Sequence, residues 1–394
     1  MKSPWTTKKL GEICEENKKS PLKVEDADNA GNFPFFTSGD SILRHSQYLV
    51  DGENIFLSTG GYAHVKYYKG KASYSADTWS LKVKNALTKY VYYQILEKIK
   101  WIDAILFRGT GLRHLQKKEF LNLKIPLPPL PIQQKIVSIL DTIQEAIDLQ
   151  NKIIETTKEL KKSLMADLFK YGSPSFRKGR KLKKTEIGEI PEDWEVVRLG
   201  DYFEFKNGVN FRKHQKGEGT LVLDVLNMYT DSLYPNLDQI YRVKGNFSEE
   251  YYLKEGDILF VRSSLKQEGV GWSVVFPGFS EPVMFCGFLI RARAKKEDFI
   301  PEFLVSLFRT EKFRNQVVYQ SGMVTITNLT QSTLSNLQVP LLPFSEQREI
   351  ADILQTVDKK IEIEKKKKEL YEELFKTMLN KLMNGEIDVE KIEI

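Results

Sequence analysis

An α+β protein written twice is what this sequence predicts: two small α/β domains separated by two long antiparallel coiled-coil helices, related by a pseudo-two-fold internal repeat. Three observations carry the prediction. A proline-rich turn followed by a long amphipathic stretch occurs twice at constant spacing. A Trp…Leu-Gly marker opens each half. Between these markers lie short β-branched runs punctuated by glycine and asparagine.

The repeat is gapless where it is strongest. IPLPPLPIQQKIVSIL from residue 125 aligns with VPLLPFSEQREIADIL from residue 339. Pro126 pairs with Pro340, Gln133 with Gln347, Ile136 with Ile350 and Leu164 with Met378, each 214 positions apart. Two amphipathic helices share periodicity by chance, but they do not ordinarily share a proline lead-in and a fixed glutamine. Trp5 and Leu10-Gly11 match Trp194 and Leu199-Gly200, 189 positions apart. Elsewhere the halves diverge. The resulting segments are 1–124, a first divergent domain; 125–172, a helix; 173–193, a linker; 194–338, a second divergent domain; 339–386, a second helix; and 387–394, a tail.

In the helices, apolar residues recur at three- and four-residue steps, the mark of one buried face. Pro131 suits a first helical turn and Gly172 a stop. Rods of roughly 40 residues reach about 60 Å and need a partner for their seam. Each copy is the economical partner of the other. The seam and partner-binding set is Gln133, Ile136, Ile143, Ile147 and Leu164 with Gln347, Ile350, Val357, Ile361 and Met378. The stretch from 172 to 184, rich in Gly, Ser, Pro and cations, reads as an exposed, solvated tether.

Strands are expected at 54–58, 62–68, 79–83, 256–262 and 271–276, and short helices at 90–100 and 301–317. Several loops mix cations, hydroxyls and amides, the groups that bond phosphates and base edges. In the first domain these are Tyr62, His64, Lys66, Lys69 and Lys71, then Arg108, Thr110, Arg113 and His114. In the second they are Lys206, Asn210, Arg212 and Lys213; Arg262, Ser263, Ser264 and Lys266; and Thr325, Thr327, Asn328 and Gln331. A single Arg in a surface loop is commonplace. The loops 108–114 and 325–331 weigh more because they occupy equivalent places in the repeat.

Composition narrows the class. Of 394 residues, 41% are hydrophobic and 28% charged, values of a folded chain, and the net charge of +6 is compatible with a polyanionic partner. Two cysteines without C-x-x-C spacing, and His45, His64, His114 and His214 scattered along the chain, argue against a disulfide framework or a metal centre. The start MKSPWTTKKLGEI lacks a signal-peptide core, and no apolar run suits a bilayer, so a cytoplasmic protein is expected. No phosphate loop, dinucleotide fingerprint, base-flipping Pro-Pro motif or Ser/His/Asp set is legible. A binding protein without catalysis or cofactor is expected. An enzyme with an unrecognised site, or a coiled-coil scaffold without DNA contact, are the competing readings.

LPPLPIQQKI (127–136), LLPFSEQREI (341–350), WEVVRLGD (194–201) and FPFFTSG (33–39) together resemble type I restriction–modification specificity subunits over essentially the whole chain. The family's acidic residue before the glutamine is present as Glu346 but replaced by Ile132 in the first copy. The resemblance implies two target recognition domains that each read half of a split, asymmetric site in double-stranded DNA, with helices fixing the gap. It also implies two methylation subunits that supply S-adenosylmethionine chemistry, and restriction subunits that supply ATP-driven cleavage.

Overall fold

The computed structural model describes residues 5–264, 269–320 and 327–392. The chain forms two compact units, one of residues 1–151 and 366–394, the other of 152–365. Each long helix, Leu130–Tyr171 and Phe344–Met383, is shared between them. Every unit therefore owns one divergent block, the beginning of that block's helix and the end of the other helix.

Within each unit the two helix segments run antiparallel. In the first, Ile136 and Leu140 share a core with Leu379, Leu382 and Met383, and Met378 packs against it. In the second, Leu168 shares a core with Ile350, Ala351 and Leu354, with Leu164 against it, and Lys161 pairs with Asp358 at 2.5 Å. The seam residues Ile147 and Ile361 are buried, while Ile143 and Val357 are half-buried. Among the described residues, no helix is long and apolar enough to cross a membrane.

The repeated sequence markers meet in space. Thr6–Lys9, beside Trp5, pairs antiparallel with Lys124–Leu127; Glu195–Arg198, beside Trp194, pairs the same way with Gln338–Leu341. Each domain is thus clasped at its two ends by the stretches that the chain repeats.

The divergent blocks also share one topology. The first has a four-stranded sheet in the order Cys14–Glu16, Thr78–Val83, Glu53–Ser58, Val65–Lys69. A three-stranded sheet holds Ile42–His45, Phe33–Phe36 and Ser73–Tyr74, the last pair parallel. The second repeats both, as Phe203–Asn207, Leu289–Ala294, Ile258–Val261, Ser273–Val275 and as Tyr241–Val243, Lys216–Leu223, Val283–Phe285, again with its last pair parallel. Each block also carries short helices, among them the consecutive pairs Thr88–Glu97 with Ile99–Leu106 and Pro301–Phe308 with Glu311–Gln320.

Gln133 and Gln347, expected in the helix seam, bond main-chain groups of their own domains. They are buried and hold each helix start to its own domain. Gln133 Oε1 accepts from Leu87 N–H at 2.9 Å, and its Nε2 donates to Pro128 O at 2.8 Å. Gln347 Oε1 accepts from Ile300 N–H at 2.9 Å, and its Nε2 donates to Leu342 O at 3.0 Å and Asp298 O at 2.8 Å. Leu87 and Ile300 directly precede Thr88–Glu97 and Pro301–Phe308. A buried main-chain group must find a partner, and the side-chain amide supplies both a donor and an acceptor at one point.

The stretch 172–184, expected as a solvated tether, is exposed at several positions but, with the residues up to 193, is folded. It forms a turn at Pro174–Phe176 and a hairpin of Leu182–Thr185 with Gly188–Pro191, with Ser173 and Ile190 buried. The cause is a buried carboxylate, Glu346. It accepts from Trp194 Nε1 at 3.1 Å, Ser173 N–H at 3.2 Å and Arg180 at 2.5 and 2.8 Å. Arg180 also grips Asp193 at 2.6 and 2.9 Å and lies 5.6 Å over the Trp194 ring. These bonds hold the guanidinium above its ordinary pKa. Gly172, at φ +82°, ends the first helix where a Cβ would stand 2.2 Å from Arg180 Nη1. Ile132, at the matching place in the first unit, packs against that unit's apolar core instead.

Removing one partner of a buried ion pair strands the other. Glu346→Ala is therefore expected to destabilise the second unit by about 3–5 kcal/mol, and Gln133→Ala the first by about 1–3 kcal/mol. Urea unfolding followed by tryptophan fluorescence checks both; unchanged midpoints would refute these roles.

Candidate nucleic-acid interface

Each unit brings three separated loops to one junction. In the first, the loop after Glu53–Ser58 meets the hairpin of Phe107–Arg108 and His114–Leu115. Leu115 N–H donates to Thr59 O at 3.0 Å, Gly61 N–H to Arg113 O at 2.9 Å, and Thr59 N–H to Asp77 O at 3.0 Å. In the second, Ser263–Ser264 pairs with Thr327–Asn328. Leu329 N–H donates to Arg262 O at 2.8 Å, and Arg262 N–H to Phe288 O at 2.8 Å. Leu115 and Leu329 are the buried anchors of the two junctions, 214 positions apart. The equivalence of loops 108–114 and 325–331 is thus a structural one wherever the chain is described.

Tyr62, Arg113 and His114 come together in the first junction. Asp103 Oδ1 accepts from Ala63 N–H at 2.7 Å, and the carboxylate grips Arg113 at 3.2 Å, so one side chain pins both loops. The Arg113 guanidinium lies 4.9 Å over the Tyr62 ring, which is 70% exposed. Thr110 is exposed on the intervening loop. Arg108 forms a two-pronged, exposed pair with Glu119 at 2.8 and 2.9 Å, a bond cheap to exchange for a phosphate.

His64 and Lys66 hold a neighbouring loop. His64 Nδ1 is 2.9 Å from Asp40 Oδ1, and Lys66 Nζ donates to the carbonyls of Thr37, Gly39 and Ser41. Burial pushes the Lys66 pKa down. Lys69 and Lys71 are not at the junction. Lys69 pairs with Glu53 at the opposite end of the hairpin, and Lys71 sits over Tyr48. Their nearness to Tyr62 in sequence misleads because a strand carries residues away at about 3.4 Å each.

In the second junction, Arg262, Ser263 and Asn210 converge. Arg262 Nη1 donates to Gly287 O at 3.4 Å, and a Cβ on Gly287 would stand 2.0 Å from Asn210 Oδ1. Ser264 Oγ accepts from Tyr229 OH at 3.2 Å. With its amide turned to satisfy both partners, Gln331 donates to Phe205 O at 3.0 Å and accepts from Asn207 N–H at 3.2 Å. Lys206 is engaged by Glu250 and lies 4.6 Å over Tyr251. Arg212 and Lys213 are exposed around the turn Lys213–Gln215. Lys266 and Thr325 lie outside the described residues, as do the side chains of Thr327 and Asn328.

Sequence reasoning missed the third loop of each junction. In the second unit it holds Phe288 and, on the adjoining turn, Leu226 and Tyr229, exposed by 58%, 83% and 47%. Phe288, Tyr229, Ser263, Ser264 and Asp224 line one concavity of about 790 Å³. Asp224 fastens its floor, accepting from Val225 N–H at 2.7 Å, Tyr241 OH at 2.5 Å and Cys286 Sγ at 3.2 Å. Burial works to raise this carboxyl, but those bonds outweigh it and hold the pKa below the ordinary range. No loop composition marks such residues, because strand pairing assembles them. Among the described residues, no cluster of His, Cys, Asp and Glu could hold a metal ion.

A model of the type I restriction modification DNA specificity domain matches residues 2–159 and 191–373, one match for each half of the repeat. The chain belongs to this family. Among relatives of the specificity-domain chain, the MjaVIII specificity subunit of Methanocaldococcus jannaschii is 28% identical over 98% of this chain and 94% of its own. The EcoDI specificity subunit of Escherichia coli is 22% identical over 50% of this chain and 48% of its own. The fold matches the crystal structure of an S subunit from M. genitalium with a TM-score of 0.62 at 16% identity, covering 97% and 96% of the two chains. A second solved chain, from work on assembly of the type I system, gives 0.60 at 18% identity, covering 98% and 100%.

Both thiols of this specificity-domain chain are raised to about 12, Cys14 by burial, and Cys286 by burial first and then by the Asp224 charge. At pH 8 a thiol reagent should leave both unmodified in the folded chain and label both in denaturant. Fast labelling of Cys286 in the native protein would contradict this packing.

Proposed function

We propose that this chain is the DNA-reading subunit of a type I restriction–modification enzyme. It binds a bipartite, asymmetric site in double-stranded DNA, one half per recognition domain. The domains are residues 1–124 and 194–338, and the long helices set the spacing of the half-sites. Two methylation subunits and, in the full complex, restriction subunits supply the chemistry. The chain itself is non-catalytic, binds neither S-adenosylmethionine nor ATP, and works in the cytoplasm.

The observation that carries this reading is the recurrence of one three-loop junction in both units with different side chains. Shared topology with divergent chemistry is what two readers of dissimilar half-sites require. Arg113 and Arg262 suit guanine edges or phosphates, and Asn210 suits adenine. Half-site spacing then follows protein geometry.

Replacing residues 1–124 by the corresponding block of a relative should change one half of the methylated sequence and leave the other intact; methylated-adenine mapping reads this directly. Change in both halves, or in neither, refutes the modular reading. Deleting two turns from both long helices should shorten the gap between half-sites. Arg113→Ala should weaken binding about 5- to 100-fold, measured by titration of the complex with the methylation subunits at fixed salt.

A further inference from the structure

We infer that the second recognition domain identifies a thymine by packing its C5-methyl group against Phe288 and Leu226. This rests on the DNA-reading function proposed above and names what one of its junctions reads.

Phe288 is not a stray exposed apolar residue. Its carbonyl accepts from Arg262 N–H at 2.8 Å, which places it in the strand junction itself. The preceding Gly287 N–H donates to Val209 O at 2.8 Å, and Cys286 is bonded to Asp224. The main chain beneath the ring is therefore fixed while the ring is 58% exposed. Leu226, 83% exposed, stands on the turn that follows Asp224. Asp77 occupies the corresponding junction position in the first unit, its carbonyl accepting from Thr59 N–H as Phe288's does from Arg262. Equivalent backbone positions thus offer an acid in one domain and a phenyl ring in the other.

Phe288 lines one concavity with Ser263 and Ser264, and the Arg262 guanidinium donates to the carbonyl of the preceding Gly287 at 3.4 Å; these polar groups suit base edges. In the major groove the thymine methyl is the apolar feature a base pair presents. An apolar projection within a polar reading surface fits that methyl. A side chain that instead wedges between base steps would act by unstacking and would be indifferent to the methyl.

The test uses the complex with methylation subunits and a duplex carrying its mapped site. Each thymine of the half-site read by residues 194–338 is replaced in turn by deoxyuridine, which removes only the methyl. One replacement should weaken binding about 3- to 10-fold, the worth of burying a methyl group. Phe288→Ala should weaken binding to the unmodified duplex by a similar factor and make that replacement neutral. Replacements in the other half-site should respond identically in both proteins. Leu226→Ser, a change at a still more exposed position, should reproduce part of the effect without altering the melting temperature. Tolerance of every replacement, or a penalty undiminished in both variants, overturns the inference. Wild-type binding that does not distinguish the site from a scrambled duplex overturns the functional reading, and is seen before any variant is made.

Discussion

The fold depends on a small polar contact: one buried glutamine per unit that ties the start of a long helix to its recognition domain. Gln133 and Gln347 each satisfy main-chain groups of the domain and of the turn that leads into the helix. An apolar residue there would leave buried main-chain groups without these partners. The contact also fixes direction. Hydrophobic faces tolerate sliding, whereas a side chain with one donor and one acceptor position does not. The domain is thereby indexed to its helix.

The two units solve their remaining problem differently. The second buries Glu346 and wraps it with Arg180, Trp194 and Ser173, which recruits the intervening segment into the core. The first places Ile132 there and packs it against apolar neighbours. A buried ion pair is weak evidence for added stability, but it imposes one geometry. The loss of the acidic residue in one copy is thus compensated by an apolar wall, not by a substitute carboxylate.

Much of the architecture was legible in the sequence because it rests on periodicity and repetition. The gapless match between the two helices, the stop at Gly172 and the Trp…Leu-Gly openings all correspond to elements that meet in space. The matching topology of the divergent blocks was not legible. Sheet order is set by long-range pairing, and Phe33–Phe36 and Lys216–Leu223 share no pattern beyond being half-buried strands. The candidate interface was legible in part for the same reason. Arg113, Arg262 and Ser263 stood out by residue type. Asp77, Phe288 and Leu226 did not, since their importance comes from backbone pairing that brings distant loops together. Lys69 and Lys71 were grouped with Tyr62 by chain proximity that the strand undoes.

The division of the helices has a consequence for synthesis on the ribosome. The second unit is one uninterrupted stretch, 152–365, and its parts are all present once that stretch has emerged. The first is discontinuous. Its core takes Leu379, Leu382, Met383 and Val389 from beyond the second unit's stretch. Although its block is translated first, its core is complete only after residues 379–389 have emerged, and until then the part of residues 130–151 that packs on them stays uncovered. A nascent chain truncated before residue 379 would carry one finished reader and one open one.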